Sequence, residues 1–399
     1  MKTNDCGRRK KTMTEKKITE GIVYIGVNDH GTDLFEGQYP VPFGMSYNSY
    51  VILDEAIAVM DTVDVHFTEE WLKKLEWELS GRKPDYLVVH HMEPDHSAGI
   101  LKLAQKYPEM TIVSSAKAFS MMKLYFGTDF ADRRVVAAEG TVLKLGTHEL
   151  TFAAAPMVHW PEVLVSYDSS SKILFSADAF GKFGALDVDQ KWTDEARRYY
   201  IGIVGKFGVQ VQALLKKAAK LDIQMICPLH GPVLTDHLEK VLELYGKWSS
   251  YEPEAKGTVI AYASVYGNTR RAALELAEYL RQKGETISVY DLARDDMAAA
   301  VADSFRFDKL VLAAPTYNGD VFPFMRDFIT RLLDHNYQKR TVGLIENGSW
   351  APTAAKVMTK LLEGGKNLTI AEPVVRLMPK LNEDSRDQLE ALARILISR

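Results

Sequence analysis

Short apolar runs separated by polar turns fill the first half of the chain. Ile22-Val23-Tyr24-Ile25 and Ser49-Tyr50-Val51-Ile52-Leu53-Asp54 read as strands, and residues 56–60 follow as another. The pattern predicts an opening β-meander. Residues 68–79 alternate with helical period, and Thr68 is placed to cap them. Asp85-Tyr86-Leu87-Val88 predicts a further strand and residues 100–104 a helix, with short strands and helices alternating to about Leu221. Beta elements at each end of this half predict an αββα sandwich, two sheets flanked by helices. A helix ending near Trp248 gives way to a polar stretch with Pro253 and Gly257, which reads as a linker. Strict β-α-β alternation follows. Residues 259–263 form a buried-strand run, and residues 270–283 a helix with Ala273, Leu276, Ala277 and Leu280 on one face and Gly284 at its end. Further strands are expected at 287–290, 309–313 and 342–345, with a weaker one near Val374-Val375. Such alternation predicts a doubly wound parallel sheet that binds its ligand beyond the strand C-termini. The expected division is a tail at 1–17, a first domain at 18–250, a linker at 251–256 and a second domain at 257–399.

Composition narrows the class. A chain of 399 residues is long enough for two cores. The formal net charge of −4 argues against nucleic acid as a partner. No apolar run approaches the ~18–20 residues that span a bilayer. Only Cys6 and Cys227 are present, so no disulfide framework is expected, which fits a reducing cytoplasm. A Cys-ligated iron–sulfur module, which needs about four cysteines, is also excluded. The basic segment containing Arg8-Arg9-Lys10-Lys11 lacks the apolar core of a signal peptide and is expected to be a disordered tail.

Candidate chemistry concentrates in Val89-His90-His91-Met92-Glu93-Pro94-Asp95-His96, a strand-to-helix loop. His91, Glu93, Asp95 and His96 have the composition of a metal-ligand set. A surface loop rich in Asp, Glu and His is a common alternative. Three later residues weigh against it: His159, Asp178 and His230 each follow an apolar run that reads as a buried strand. Charged groups rarely sit there unless paired or bound to a metal.

A second site is expected in the second domain. The turn Ser264-Val265-Tyr266-Gly267-Asn268-Thr269 opens a helix with backbone N–H groups and hydroxyls, an arrangement that suits a terminal phosphate. It contains no Gly-x-Gly-x-x-Gly, which disfavours a dinucleotide. The loops Pro315-Thr316-Tyr317-Asn318-Gly319 and Asn347-Gly348-Ser349-Trp350 follow later strands on the same expected edge, with Tyr317 and Trp350 as candidates to stack on a flat ring. Ordinary helix capping and surface aromatics are the plain alternatives.

His-x-Glu-x-Asp-His followed by His159, Asp178 and His230 resembles the flavodiiron proteins, whose first half has the metallo-β-lactamase fold and whose second half is flavodoxin-like. The phosphate turn, Thr-Tyr-Asn-Gly and Asn-Gly-Ser-Trp-Ala-Pro resemble that second half. By this resemblance His91, Glu93 and His159 would bind one iron, Asp95, His96 and His230 the other, and Asp178 would bridge them. FMN would occupy the second domain. The chain would be an oxidoreductase passing electrons from a small redox protein such as rubredoxin through FMN to two Fe per chain, reducing dioxygen to water, nitric oxide to nitrous oxide, or both. A head-to-tail homodimer would bring each FMN beside its partner's irons, and a tetramer of two dimers is compatible with this. Of the paired Tyr199 and Tyr200, one is expected to hydrogen-bond a metal-bound substrate, against the alternative that both simply pack. Zinc hydrolases of the same fold carry His where this chain has Glu93, and the added carboxylate favours iron. A zinc hydrolase with an appended flavodoxin domain, and an electron carrier with an inert first domain, stay open as rivals.

Overall fold

The computed structural model describes residues 16–398. Most of the expected tail lies outside the described residues. Its last two positions do not belong to a tail, because Lys16–Thr19 is a strand paired antiparallel with Ile22–Tyr24 around a turn at Gly21.

The first domain is built from two sheets. One has seven strands, in the order Lys16–Thr19, Ile22–Tyr24, Tyr50–Ile52, Ala58–Met60, Tyr86–Val88, Thr111–Ser114, Arg134–Val136. The other has five, in chain order: Val142–Lys144, Glu149–Ala154, Leu164–Asp168, Ile173–Phe175 and Met225–Cys227. Alternate residues divide between two cores, as the period of two requires. Tyr50, Met60 and Val113 meet Phe152, Leu164 and Phe175 between the sheets. Val51, Val59 and Leu87 face the other way and join the cluster that holds Trp71, Leu75 and Phe119 from the helices Thr68–Leu79 and Ala116–Phe126. The expected opening meander is present, but the chain between Tyr24 and Tyr50 also forms two small antiparallel pairs. These are Val27–Asp29 with Met45–Tyr47 and Leu34–Phe35 with Tyr39–Pro40. Two- and three-residue strands leave too little alternation to be read from sequence.

Ile173–Phe175 and Met225–Cys227 run parallel, as do Ala58–Met60, Tyr86–Val88 and Thr111–Ser114. Parallel neighbours end at the same edge, so the loops that follow them emerge together.

The second domain is a parallel sheet in the order Ile287–Asp291, Ala255–Tyr262, Phe307–Tyr317, Thr341–Asn347, with Thr369–Ile370 and Val375–Leu377 completing the far edge. Its first strand starts at Ala255, so the expected linker at 251–256 is shorter than its composition suggests. Ala255 pairs with Phe307 and the Glu254 N–H reaches the Arg306 carbonyl. Nor is the preceding segment loose: Tyr251 is buried, with its hydroxyl on the Gly205 carbonyl at 3.0 Å. Glu254 takes a two-pronged ion pair from Arg197 (2.6 and 2.7 Å) and a hydrogen bond from Trp248 Nε1 (3.0 Å). No described helix is long and apolar enough to cross a membrane.

The edge of the sandwich is fastened by His148. Its Nδ1 donates to Asp168 Oδ2 at 2.8 Å, and its backbone N–H to Asp54 Oδ2 at 2.7 Å. The hydrogen bond from Asp168 raises the His148 pKa above the ordinary histidine value, outweighing burial. Folding therefore favours the charged ring. That contribution is complete below about pH 6.5 and is lost as pH climbs through the higher folded value. His148→Gln is expected to be most destabilising at acid pH. Thermal unfolding of both proteins should show the difference narrowing from about pH 6.5 upward, and a difference that widens would contradict the assignment.

Candidate metal centre

The loop after Tyr86–Val88 is held from below. Asp61, itself in left-handed backbone (φ 55°), accepts the His90 N–H at 2.7 Å and the His90 ring Nδ1 at 2.5 Å. The other His90 nitrogen meets Ser166 Oγ at 2.8 Å, so His90 is turned into the core and away from its neighbours in the motif. His91 points the opposite way. Its Nδ1 donates to Glu162 Oε1 (2.8 Å), which also accepts the Met92 N–H (2.9 Å), leaving Nε2 facing inward. The single helical turn Pro94–Ser97 carries Asp95 and His96 to the same place. His159 arrives from the loop after Glu149–Ala154. Asp178 arrives from the turn after Ile173–Phe175, between Ala177 (φ 51°) and Phe180 (φ 68°), both non-glycine residues in left-handed backbone. Such strain persists only where the surroundings impose it. His230 follows Met225–Cys227, and its loop is held by Asn48, whose Nδ2 donates to the carbonyls of Pro228 (2.8 Å) and Gly231 (2.7 Å). His230 Nδ1 donates to the Ser46 carbonyl at 2.7 Å, so in the neutral ring Nε2 carries the free lone pair.

All seven expected ligands therefore meet. His91, Glu93, His159 and Asp178 offer donor atoms within 4.8 Å of one another, and so do Asp95, His96 and His230. His91 Nε2 lies 3.2 Å from His159 Nε2, and His96 Nε2 2.9 Å from His230 Nε2. Asp178 lies between the groups. Its Oδ2 is 2.9 Å from His159 Nε2 and 3.3 Å from His91 Nε2, and its Oδ1 is 3.6 Å from His96 Nε2 and 3.8 Å from His230 Nε2. None of these approaches to Asp178 is a hydrogen bond, the two to Oδ1 being too long, and all four carboxylate oxygens of Asp95 and Asp178 are buried without a hydrogen-bond partner.

The electrostatics match. Burial opposes charge on His91, but Asp178, Glu162 and Glu93 overcome it and hold its pKa well above the ordinary value. His159, likewise opposed by burial and supported by Asp178 and Glu93, is raised to about 9. Burial alone would raise Glu93 and Asp178, but the imidazoles hold both below the usual carboxylate range. The cluster thus draws cations toward ionised carboxylates. Unpartnered oxygens and inward-facing ring nitrogens fit a pair of metal ions, and a donor set of nitrogen and oxygen without sulfur suits iron. Cys227 is buried beside Tyr50 in the inter-sheet core.

The structure separates the paired tyrosines. Tyr199 ends the helix Trp192–Tyr199, and its ring lies 5.5 Å from that of His230. Its hydroxyl is buried without a partner, and burial followed by the charges of Asp178, Glu93 and Asp95 drives its pKa far up. Tyr200 faces elsewhere, against Tyr245 (5.0 Å) and Trp248 (5.3 Å). Three residues near the centre are not expected from sequence. Glu162 orients His91. Phe35 stands edge-on to His230 at 5.4 Å. Glu36 is pushed up to about 7 by burial and by the charge of Glu93. Glu162 carries the signal that marks Asp178, a carboxylate beside a buried-strand run.

At the C-terminal edge of the second sheet the three expected loops converge. Asn347 Nδ2 donates to Thr269 Oγ1 (3.2 Å), Thr316 Oγ1 accepts the N–H groups of Thr353 (2.8 Å) and Ala354 (3.1 Å), and the Gly267 N–H reaches Ser264 Oγ (3.1 Å). The helix behind the first turn is Asn268–Gln282, entered through Gly267 at φ +87°. Tyr266 and Trp350 are 93% and 82% exposed, which leaves an open rim of aromatic rings.

A sandwich that gathers two groups of metal-type donors, fused to a flavodoxin-type sheet, is the architecture of a two-domain redox protein. Residues 45–231 match the model of the ODP family beta lactamase, and residues 259–391 that of a flavodoxin domain. The chain is 30% identical over 368 residues to a nitric oxide reductase of Moorella thermoacetica, covering 89% of this chain and 91% of that one. Among solved structures it is similar to the rubredoxin oxygen:oxidoreductase of Desulfovibrio gigas (TM-score 0.88, 25% identity, 96% of this chain and 99% of that one). It shares its fold with the flavodiiron protein of Giardia intestinalis (TM-score 0.87, 24% identity, 97% and 98%). The chain belongs to the flavodiiron protein family.

Asn48 is buried and its amide is the donor for two carbonyls of the His230 loop. Asn48→Ala is expected to cost about 1–3 kcal/mol in denaturant unfolding, because the Gly231 carbonyl loses this donor while the Pro228 carbonyl keeps the Tyr50 hydroxyl at 2.9 Å. An effect below about 0.5 kcal/mol would show that the loop holds itself.

Proposed function

We propose that this chain reduces dioxygen to water, nitric oxide to nitrous oxide, or both, using electrons from a small redox protein such as a rubredoxin. The observation that carries the reading is the placement of Asp178, with one unpartnered oxygen toward each of two imidazole–carboxylate groups. His91, Glu93 and His159 would hold one iron, Asp95, His96 and His230 the second, and Asp178 both. A bridging carboxylate keeps two metals close enough to act on one diatomic molecule. When bound, FMN and the two irons supply the stored electrons that the reduction consumes. The backbone and hydroxyls of Ser264, Val265, Tyr266, Gly267, Asn268 and Thr269 would take the flavin phosphate, and the loops 315–319 and 347–350 would flank its ring, with Tyr317 and Trp350 against the faces. Head-to-tail pairing of two chains, expected from the family, and a cytoplasmic location complete the proposal.

Two residues have roles the geometry supports. Glu162 fixes the tautomer and direction of His91, as carboxylates behind metal-binding histidines do. Tyr199 stays protonated because burial and the carboxylates penalise its anion, so its hydroxyl keeps a proton to donate, and it has no partner within the protein. Tyr200 is enclosed by Tyr245 and Trp248 and is proposed to act in packing.

Metal and flavin analysis, followed by reduction and parallel oxygen- and nitric-oxide-electrode assays, tests the function. Two irons and one FMN per chain with consumption of either gas are expected. Stoichiometric zinc with hydrolase activity, or no gas consumption by the loaded enzyme, would remove the proposal. Glu162→Gln is expected to weaken metal affinity about 10–100-fold in competition with a chelator, and unchanged affinity would deny it the orienting role. Tyr199→Phe should keep its metals and lose about tenfold or more in turnover, while Tyr200→Phe should leave turnover within about twofold.

A further inference from the structure

One cationic side chain joins three parts of the molecule that sequence leaves unconnected. Arg198 projects from the helix Trp192–Tyr199, one residue before the tyrosine that faces the metal centre. Its Nη1 donates to Glu195 Oε2 on the same helix at 2.6 Å. Its Nη2 donates to the Pro40 carbonyl at 2.7 Å and to Asp296 Oδ2, in the second domain, at 3.0 Å. The guanidinium also lies over the Phe183 ring, 5.4 Å from its centroid.

Pro40 belongs to the small hairpin in which Leu34–Phe35 pairs with Tyr39–Pro40. The tip of that hairpin turns through Glu36 (φ 49°) and Gly37 (φ 67°), closed by the Gln38 N–H on the Phe35 carbonyl at 3.1 Å. Phe35 pairs with Tyr39, so the loop is the three residues Glu36, Gly37 and Gln38, and its two consecutive positive φ values keep it tight. The tip is where the hairpin meets the centre: Phe35 stands against His230, and Glu36 is close enough to Glu93 for its charge to be felt. A pair of two-residue strands has almost no stability of its own, so its placement depends on what ties it down. Two bonds do so from the same helical element: Arg198 on Pro40, and the Tyr39 hydroxyl on the Gly202 carbonyl at 2.8 Å. Both also reach the second domain, the Gly202 carbonyl through His335 Nε2 at 3.2 Å and Arg198 through the charge of Asp296. A guanidinium suits this task because its fork of donors has fixed geometry and its plane stacks on an aromatic ring.

We propose that Arg198 is a positioning residue for the metal centre: with Asp296 it clamps the hairpin at residues 34–40 in place, so that Phe35 and Glu36 cover the ligand groups. The inference rests on the gas-reducing reading of that centre. It also implies that the seat of the flavin domain on the first domain and the cover of the metal centre are set by the same side chain.

The test uses the full-length protein with its metals and flavin, comparing wild type with R198M, R198K and D296N. Asn can keep the hydrogen bond with which Asp296 caps its helix through the Ala298 N–H, and its NH2 then replaces the oxygen that accepts from Arg198, removing both charge and acceptor there. In hydrogen–deuterium exchange, amides of residues 34–39 should exchange about tenfold faster in R198M, the equivalent of one lost charge-assisted hydrogen bond. D296N should show the same change in smaller degree, R198K should fall between R198M and wild type, and the strands of both sheets should be unaffected in all three. Turnover should fall about fivefold in R198M with metal and flavin content retained and the KM for gas within about twofold. Unchanged hairpin exchange in R198M, or faster exchange spread through the whole first domain, overturns the clamp. If R198M does not fold, D296N and R198K decide alone, and wild-type exchange in both overturns it. Should the loaded wild-type enzyme consume neither gas, the reading of the centre fails, and the exchange comparison still judges whether Arg198 holds the hairpin.

Discussion

Four buried carboxylate oxygens without a hydrogen bond, on Asp95 and Asp178, are the constraint that organises the first domain. An ionised carboxylate removed from water is tolerable only beside a compensating charge. Imidazoles supply part of that compensation, since His91 and His159 are pushed toward their charged forms and Glu93 and Asp178 toward theirs. Imidazoles alone cannot complete it. The ring nitrogens of His91 and His159, and of His96 and His230, approach one another as closely as they approach the acids. If both rings of a pair were charged they would repel, and if both were neutral one could donate to the other but neither would supply charge to the carboxylates. A cation in each group would complete the compensation that the imidazoles supply only in part.

Holding the ligands at that density requires support from residues that touch no ligand atom in the centre. Asp61 fixes the backbone before His91, Glu162 fixes its ring, and Asn48 fixes the loop of His230. Each is a polar side chain on or beside a strand of the sandwich, and each satisfies backbone groups that the sharp loops leave unpaired. The positive φ values of Asp61, Ala177 and Phe180 show the same pressure. Side chains must converge from strands of both sheets, and the backbone bends to let them.

Much of this is legible in the sequence, for a physical reason. Ligand residues at the ends of buried strands interrupt apolar runs, and such interruptions stand out. The same holds for the hydroxyl-rich turn at 264–269 and the aromatic loops after later strands. Glu162 carries the same local mark as Asp178, a carboxylate beside a buried-strand run, but its partner His91 is distant in sequence, so its role is not legible. The hairpin at 34–40 is invisible because its strands are too short for alternation and its stability is tertiary. The linker reads as too long because Pro253 and Gly257 look like breakers, whereas pairing with Phe307 recruits Ala255 into the sheet. Tyr199 and Tyr200 cannot be told apart by composition. Consecutive helix residues diverge by about 100°, so only one of them can face the centre, and which one depends on how the helix lies.

How that helix lies is set at its C-terminal end. Beyond Tyr199 the chain widens into a π-helical turn, Tyr200–Val204. Such turns disturb the regular ladder and recur where function needs a displaced backbone. Here the turn directs the Gly202 carbonyl outward, where it meets the Tyr39 hydroxyl at 2.8 Å and His335 Nε2 of the second domain at 3.2 Å. A side chain at this position would not be accommodated, since a Cβ on Gly202 would lie 2.8 Å from the Tyr39 ring. The element that presents Tyr199 to the metal centre is therefore fastened at Arg197 and Arg198 on one side and at Gly202 on the other. Both fastenings reach beyond the sandwich, to Glu254 before the first strand of the flavodoxin sheet and to Asp296 and His335 within that domain. Movement of the flavodoxin domain relative to the sandwich would either break charged or buried bonds on this one element or carry the tyrosine with it.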